Sequence, residues 1–131
     1  MTSARALLLI VDDDMRSANV LGRLLQADGF DIEVTTDGAA ALARLTRSPV
    51  PDALITDFHL AHVDGLAVGR YARSRRTKMP IFVVTGDPAS VARAADPPGG
   101  PTVVLTKPVD YADLVVRLRA ALPEGDAPAN E

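Results

Sequence analysis

Short apolar runs alternate along the chain with stretches of helical periodicity. Leu7–Val11 is apolar at every position, as expected for a strand buried on both faces of a sheet. Residues 15–28 then carry apolar side chains at helical spacing, and Gly29 follows where a left-handed helix cap would lie. The same strand-then-helix unit recurs to the end of the chain. It predicts strands near residues 7–11, 32–34, 53–56, 81–84 and 103–105, and helices near residues 15–28, 37–45, 65–75, 88–95 and 110–122.

Five such units predict a single α/β domain. Parallel strands joined by right-handed crossovers form one sheet with helices on both of its faces. We expect the domain to cover residues 1–122, and the polar, proline-containing residues 123–131 to form a disordered C-terminal tail. Residues 96–101 contain three prolines and two glycines, so the fourth helix should be short or irregular.

Composition narrows the possible classes of function. A chain of 131 residues suits one domain, and 47% apolar residues are enough for a core. The absence of cysteine excludes disulfides, thiolate metal sites and cysteine nucleophiles. A net charge of -3 and 4% aromatic residues argue against direct binding of nucleic acid. No apolar run is long enough for a membrane span or a signal peptide, so we expect a cytoplasmic protein.

Polar residues capable of chemistry follow four of the five predicted strands. In a parallel sheet of this kind, ligands bind at the carboxyl ends of the strands. Asp12, Asp13 and Asp14 follow the first strand, Asp57 the third, Thr85 the fourth and Lys107 the fifth. Several carboxylates in one small cleft repel each other, and a divalent cation relieves that repulsion. Oxygen ligands without histidine or cysteine favour Mg²⁺.

With these polar residues at its strand ends, the sequence resembles the receiver domain of two-component response regulators, in its stand-alone, CheY-like form. The resemblance covers residues 6–122. Each motif is weak alone, and the order, spacing and strand-end positions of all of them carry the resemblance. The motifs are residues 8–14, Asp57 with Asp64-Gly65, Val83-Val84-Thr85-Gly86, and Lys107-Pro108.

The resemblance implies a flavodoxin-like (βα)5 three-layer sandwich whose parallel sheet has the order 2-1-3-4-5. It implies a signalling switch rather than a turnover enzyme, which catalyses its own phosphorylation and slow dephosphorylation. A histidine kinase or histidine phosphotransfer protein would donate the phosphoryl group, and the downstream effector is not indicated. The implied roles are Asp57 as phosphoacceptor and metal ligand, Asp13 as direct Mg²⁺ ligand, Asp12 as ligand through water, the His59 backbone carbonyl as a further ligand, Thr85 and Lys107 as phosphoryl-binding groups, Asp14 as helix cap, and a cis Lys107-Pro108 bond.

Three positions depart from the family pattern. Val104 stands where an aromatic residue usually precedes the lysine, so an aromatic rotamer switch is not expected. The irregular fourth helix alters the surface through which many family members dimerise, and we expect a monomer or weak dimer. Ala61 replaces a usual proline. No DNA-binding output domain follows within this sequence, which predicts either a stand-alone receiver or one excised from a longer protein.

Two other interpretations stay open. A haloacid-dehalogenase-like phosphatase would use Asp12 as its nucleophile, in the pattern Asp12-x-Asp14, although Arg16 and the lack of a cap domain fit it poorly. A degenerate receiver would serve only as a docking surface.

For a receiver, the kinase or phosphotransfer partner is expected to contact the first helix near Arg16, Ala18 and Leu21. We interpret Arg73, Arg75, Arg76 and Lys78 as a solvated charged face at a helix end.

Overall fold

The computed structural model describes residues 5–92 and 102–122. Within these ranges, strands and helices alternate through five repeats. The strands are β1 (Leu7–Val11), β2 (Asp31–Thr35), β3 (Ala53–Asp57), β4 (Ile81–Thr85) and β5 (Thr102–Thr106). The helices are α1 (Met15–Ala27), α2 (Gly38–Leu45), α3 (Gly65–Arg75), α4 (Pro88–Ala92) and α5 (Tyr111–Ala121).

All strand pairs are parallel, and the order across the sheet is β2-β1-β3-β4-β5. The predicted strand order and three-layer α/β fold are therefore confirmed. β3 lies at the centre, with β1 and β4 on either side of it. Because β3 extends one residue beyond its predicted end, Asp57 is its last residue and pairs with Val84 of β4. Thr85 ends β4 in the same way.

The sheet separates two hydrophobic clusters. On one face, Leu8 and Ile10 of β1 pack with side chains from α1 and α5, including Leu25 and Leu114. The alternate residues of the strands face the other way, where β1 residues such as Leu9 pack in the cluster formed with α2 and α3. Consecutive strand residues point to opposite faces, which is why uninterrupted apolar runs fit a sheet covered on both sides.

Aspartates begin four of the five helices. Asp14, Asp37, Asp64 and Asp110 each accept a hydrogen bond from a backbone N–H in the first turn of the following helix. Each such cap is worth about 1 kcal/mol. Gly29 ends the α1 region with φ +101°, so the predicted left-handed cap is confirmed.

One sequence interpretation was wrong. Arg73 is buried, not solvated: its guanidinium donates to the Met79 carbonyl at 3.0 Å and to Thr102 Oγ1 at 2.9 Å. Arg75 and Arg76 donate to carbonyls of Leu45 and Pro51 at 2.8 and 3.0 Å. The end of α3 is thus tied to neighbouring loops, because buried carbonyls require donors that the sheet does not supply.

Parts of the predicted organisation lie outside the described residues. α4 is described to Ala92, and the continuation predicted to residue 95 and the tail at 123–131 are not among the described residues. The boundary at residue 122 stays a prediction. None of the helices within residues 5–92 and 102–122 has the length and apolar character that crossing a bilayer requires.

Candidate phosphoacceptor and metal site

Three carboxylates converge at the carboxyl edge of the sheet. One oxygen each from Asp12, Asp13 and Asp57 lies within 4.8 Å of the others. Asp12 and Asp13 follow β1, and Asp57 ends the adjacent β3, so neighbouring parallel strands bring them together. Asp12 is held in the sheet by its backbone N–H, which donates to the Thr35 carbonyl at 3.1 Å. The sequence prediction that these residues share one edge is confirmed.

Asp57 is the most enclosed of the three, with 5% of its surface exposed. Burial first, and then a hydrogen bond with Asp12 and the negative charge of Asp12, together raise the pKa of Asp57 to about 7. The Lys107 ammonium opposes this rise in pKa. A divalent cation beside Asp57 would favour the charged form of this carboxylate.

Lys107 supplies the positive charge at the site. Its Nζ lies 3.2 Å from Asp57 Oδ1, and its side chain is about half exposed. The backbone N–H of Lys107 donates to the Thr85 carbonyl at 2.9 Å, which fixes the end of β5 against the end of β4. The Lys107-Pro108 peptide is cis, as predicted.

Thr85 is buried beside these groups, with 1% of its surface exposed. Its Oγ1 accepts a hydrogen bond from the Asp87 backbone N–H at 2.9 Å. Because a hydroxyl can accept and donate at once, the Thr85 O–H proton stays available to a second acceptor.

Asp14 and His59, two further residues predicted at the site, do not belong to the buried group around Asp57. The Asp14 side chain accepts from the backbone N–H groups of Arg16 and Ser17, so its predicted capping role is confirmed. The His59 side chain is exposed and packs edge-on against Phe58, with ring centroids 4.7 Å apart. The predicted use of the His59 carbonyl as a metal ligand stays a prediction.

A cleft of about 830 Å³ opens from the carboxylates along α1. Its walls include Asp12, Asp57 and Lys107 at one end, and Val20, Leu24 and Tyr111 farther along.

The sequence analysis missed one feature of this cleft, a polar contact made by Tyr111 at the start of α5. The Tyr111 hydroxyl donates to Asp28 Oδ2 at 2.6 Å and so ties α5 to the end of α1. The two residues are 83 positions apart, and no sequence signal pairs them.

Comparison with known proteins gives the class that this fold and site define. The family profile described as "Response regulator receiver domain" matches residues 8–119. The chain therefore belongs to the response regulator receiver domain family, whose members are signalling switches rather than turnover enzymes.

Sequence similarity to individual response regulators supports this family assignment. Response regulator MprA of Mycobacterium avium is 37% identical over 124 residues, which are 92% of this chain and 54% of that protein. The chain thus spans about half the length of the curated relatives it matches.

Solved structures share the fold over most of the chain. Chemotaxis protein CheY4 of Vibrio cholerae has a TM-score of 0.76 and 26% identity, covering 91% of this chain and 100% of that one. The receiver domain of sensor histidine kinase PA1611 from Pseudomonas aeruginosa has a TM-score of 0.74 and 25% identity, covering 90% and 98%. That structure carries a magnesium ion coordinated in the active site cleft.

Proposed function

We propose that this receiver accepts a phosphoryl group on Asp57 from the phosphohistidine of a histidine kinase or a histidine phosphotransfer protein. The observation that carries the proposal is the position of Asp57: a buried carboxylate at the central strand end, 3.2 Å from an ammonium group. Membership of the receiver family and the cleft leading to Asp57 support it.

The transfer exchanges one bond to phosphorus for another. An oxygen of the Asp57 carboxylate attacks the phosphorus, the phosphorus–nitrogen bond of the donor breaks, and its electron pair stays on the imidazole. The product is an acyl phosphate on Asp57, and later attack by water returns the carboxylate and inorganic phosphate. Such transfers depend chiefly on positioning and on neutralising the charge of the phosphoryl oxygens.

The donor set fits Mg²⁺. Asp12, Asp13 and Asp57 offer only carboxylate oxygens, and hard divalent cations prefer such ligands. Burial and the neighbouring Asp12 raise the pKa of Asp57, and a bound dication would favour the charged form of this carboxylate. Asp13 and Asp57 would hold the ion directly, Asp12 through water, and the His59 carbonyl would complete the protein ligands. When bound, Mg²⁺ supplies positive charge that stabilises the phosphoryl oxygens.

Lys107 and Thr85 act on the phosphoryl oxygens in this proposal. The Lys107 ammonium pairs with Asp57 before transfer and with a phosphoryl oxygen afterwards. The Thr85 hydroxyl donates its free proton to another phosphoryl oxygen while it still accepts from the Asp87 N–H. Movement of Thr85 toward the phosphoryl group would therefore pull on the start of α4. This route of signalling does not need an aromatic side chain at position 104, where the chain has valine.

The partner docks beside the cleft in this proposal. Arg16 and Leu21 of α1 line the same cleft as Asp57, which places α1 within reach of a donor histidine. Ala18, predicted to lie at the same contact, is instead completely buried in the core. We propose that the receiver works in the cytoplasm as a monomer or weak dimer, and that it binds neither membrane nor nucleic acid.

Mass mapping after incubation with acetyl phosphate and Mg²⁺ tests the proposal. We expect one phosphoryl group on Asp57, no labelling in Asp57→Asn, and unchanged labelling in Asp113→Asn, a half-exposed carboxylate on α5. Labelling of Asp12 would favour the phosphatase interpretation. An unlabelled wild-type protein would favour a degenerate docking domain.

A further inference from the structure

Gly65, the first residue of α3, is in unusually close contact with the backbone of the proposed phosphoacceptor. A Cβ atom placed on Gly65 would lie 2.2 Å from the Asp57 carbonyl oxygen and 3.1 Å from Phe58 Cα. Ordinary van der Waals contacts of a Cβ atom begin near 3.4 Å. Its backbone has no left-handed φ, so the position needs glycine for space and not for conformation.

The backbone at Asp57 cannot easily move away. Its carbonyl oxygen accepts a hydrogen bond from Thr56 Oγ1 at 2.9 Å, and Thr56 is completely buried. The next residue, Phe58, is held in the sheet by its N–H, which donates to the Val84 carbonyl at 2.9 Å. A displaced Asp57 carbonyl would break the Thr56 bond and leave a buried hydroxyl without its acceptor.

Gly65 also closes the loop that follows Asp57. Its N–H donates to the Phe58 carbonyl at 2.8 Å, so residues 58 and 65 form the base of the loop. Asp64 holds α3 in place from the same point, because its Oδ1 accepts from the Ala67 N–H at 2.8 Å. His59, whose carbonyl is the fourth proposed Mg²⁺ ligand, lies within this loop.

We infer that Gly65 is a positioning residue for phosphoryl transfer: its lack of a side chain lets α3 approach β3 closely enough to set the Asp57 carboxylate and the His59 carbonyl in one metal site. The inference rests on the proposed function. A methyl group at this position must push the Asp57 carbonyl and α3 apart by about 1.2 Å to reach 3.4 Å. Displacements near 1 Å can lower reaction rates by about a hundredfold.

The test compares Gly65→Ala with Gly22→Ala. Gly22 is a buried glycine of α1 whose added Cβ would lie 3.3 Å from the Cγ2 methyl group of Ile32, away from the carboxylates. Mg²⁺ affinity is measured by calorimetry, and phosphorylation by acetyl phosphate is measured by intact mass, both well below the melting temperature of each variant. Circular dichroism verifies folding. A residue that only stabilises the fold would not change Mg²⁺ affinity under these conditions.

For Gly65→Ala we expect about tenfold weaker Mg²⁺ binding and up to about a hundredfold slower phosphorylation, with wild-type values for Gly22→Ala. Wild-type values in folded Gly65→Ala would overturn the inference and leave the proposed function intact. A wild-type protein that takes no phosphate would instead overturn the proposed function, and the positioning role with it.

If Gly65→Ala does not fold, Asp64→Ala and Asp64→Asn decide the question. Asparagine caps a helix as well as aspartate, whereas alanine does not, and both remove the same charge. Weaker Mg²⁺ binding in Asp64→Ala than in Asp64→Asn would support positioning through the start of α3. Equal affinities in the two variants would overturn it.

Discussion

The charge on Asp57 should destabilise the metal-free protein, and Asp57→Asn should remove that effect. The pKa of Asp57 rises from 3.8 to about 7 on folding, chiefly by burial. The folded state therefore keeps a proton at pH values where the unfolded chain has lost it, and stability falls as pH rises from about 4 to about 7. Asparagine resembles the protonated carboxyl group and does not titrate, so the variant lacks this loss.

The magnitude follows from the pKa shift of about three units. Each unit corresponds to about 1.4 kcal/mol, so the full shift sets an upper limit of about 4 kcal/mol. The cleft opens to solvent, and screening there reduces the expected difference to about 2 kcal/mol. Asp57→Asn should then be more stable than the wild type by about 2 kcal/mol at pH 8, and nearly equal to it at pH 4.

Urea unfolding in EDTA at several pH values between 4 and 8 measures this difference. Asp113→Asn serves as the control, because its carboxylate is half exposed and pairs with Arg117 on the surface of α5. Saturating Mg²⁺ at pH 8 should raise the free energy of unfolding of the wild type substantially, and that of Asp57→Asn only a little. Parallel pH profiles for wild type and Asp57→Asn would refute the argument that burial and Asp12 oppose ionisation of Asp57.

Three further predictions concern groups outside the carboxylate cluster. Arg44→Met should lower the free energy of unfolding by about 3 kcal/mol in urea, because it removes the buried partner of Glu33 and the donor to the Pro49 carbonyl; Glu33→Gln should cost less. Tyr111→Phe should cost about 1 kcal/mol at pH 8. Because burial and the bond to Asp28 raise the pKa of Tyr111 to about 12, this difference should vanish in urea titrations as pH rises through 12. Val104 is 40% exposed, so Val104→Ala should change stability by less than about 0.5 kcal/mol and leave beryllofluoride-induced amide shifts unaltered.

Each of these predictions has a result that would contradict it. Equal losses in Arg44→Met and Glu33→Gln would show that the buried guanidinium is no more costly to remove than a half-exposed carboxylate. A constant difference between Tyr111→Phe and wild type across the alkaline range would contradict the raised pKa. A large loss of amide shifts in Val104→Ala would show that this valine transmits the signal.

The apolar pattern of the sequence predicted the strands and the residues at the rim of the sheet, whereas the strand order came from the family resemblance. Apolar runs mark strands covered on both faces, and each run ends where the chain leaves the core. Asp12, Asp57, Thr85 and Lys107 stand at those ends, so a parallel sheet brings them to one edge. The helix caps can also be predicted from the sequence, because Asp14, Asp37 and Asp110 each stand just before a stretch of residues with helical periodicity.

Features that depend on three-dimensional packing could not be predicted from the sequence. Arg73 lies in a charged run typical of a solvated helix end, and only the fold shows that its guanidinium meets the Met79 carbonyl. The bond between Tyr111 and Asp28 joins residues 83 positions apart. Gly65 follows an ordinary turn signal, whereas its need for space arises from the Asp57 carbonyl across a loop.

A crystal structure of the protein with Mg²⁺ and beryllofluoride tests the central claim most directly. The account predicts beryllium bonded to a carboxylate oxygen of Asp57, with Lys107 and Thr85 on its fluorines. It also predicts Mg²⁺ bound by Asp13 and the His59 carbonyl. Beryllofluoride bonded to Asp12, or a cleft that binds neither group, would contradict it.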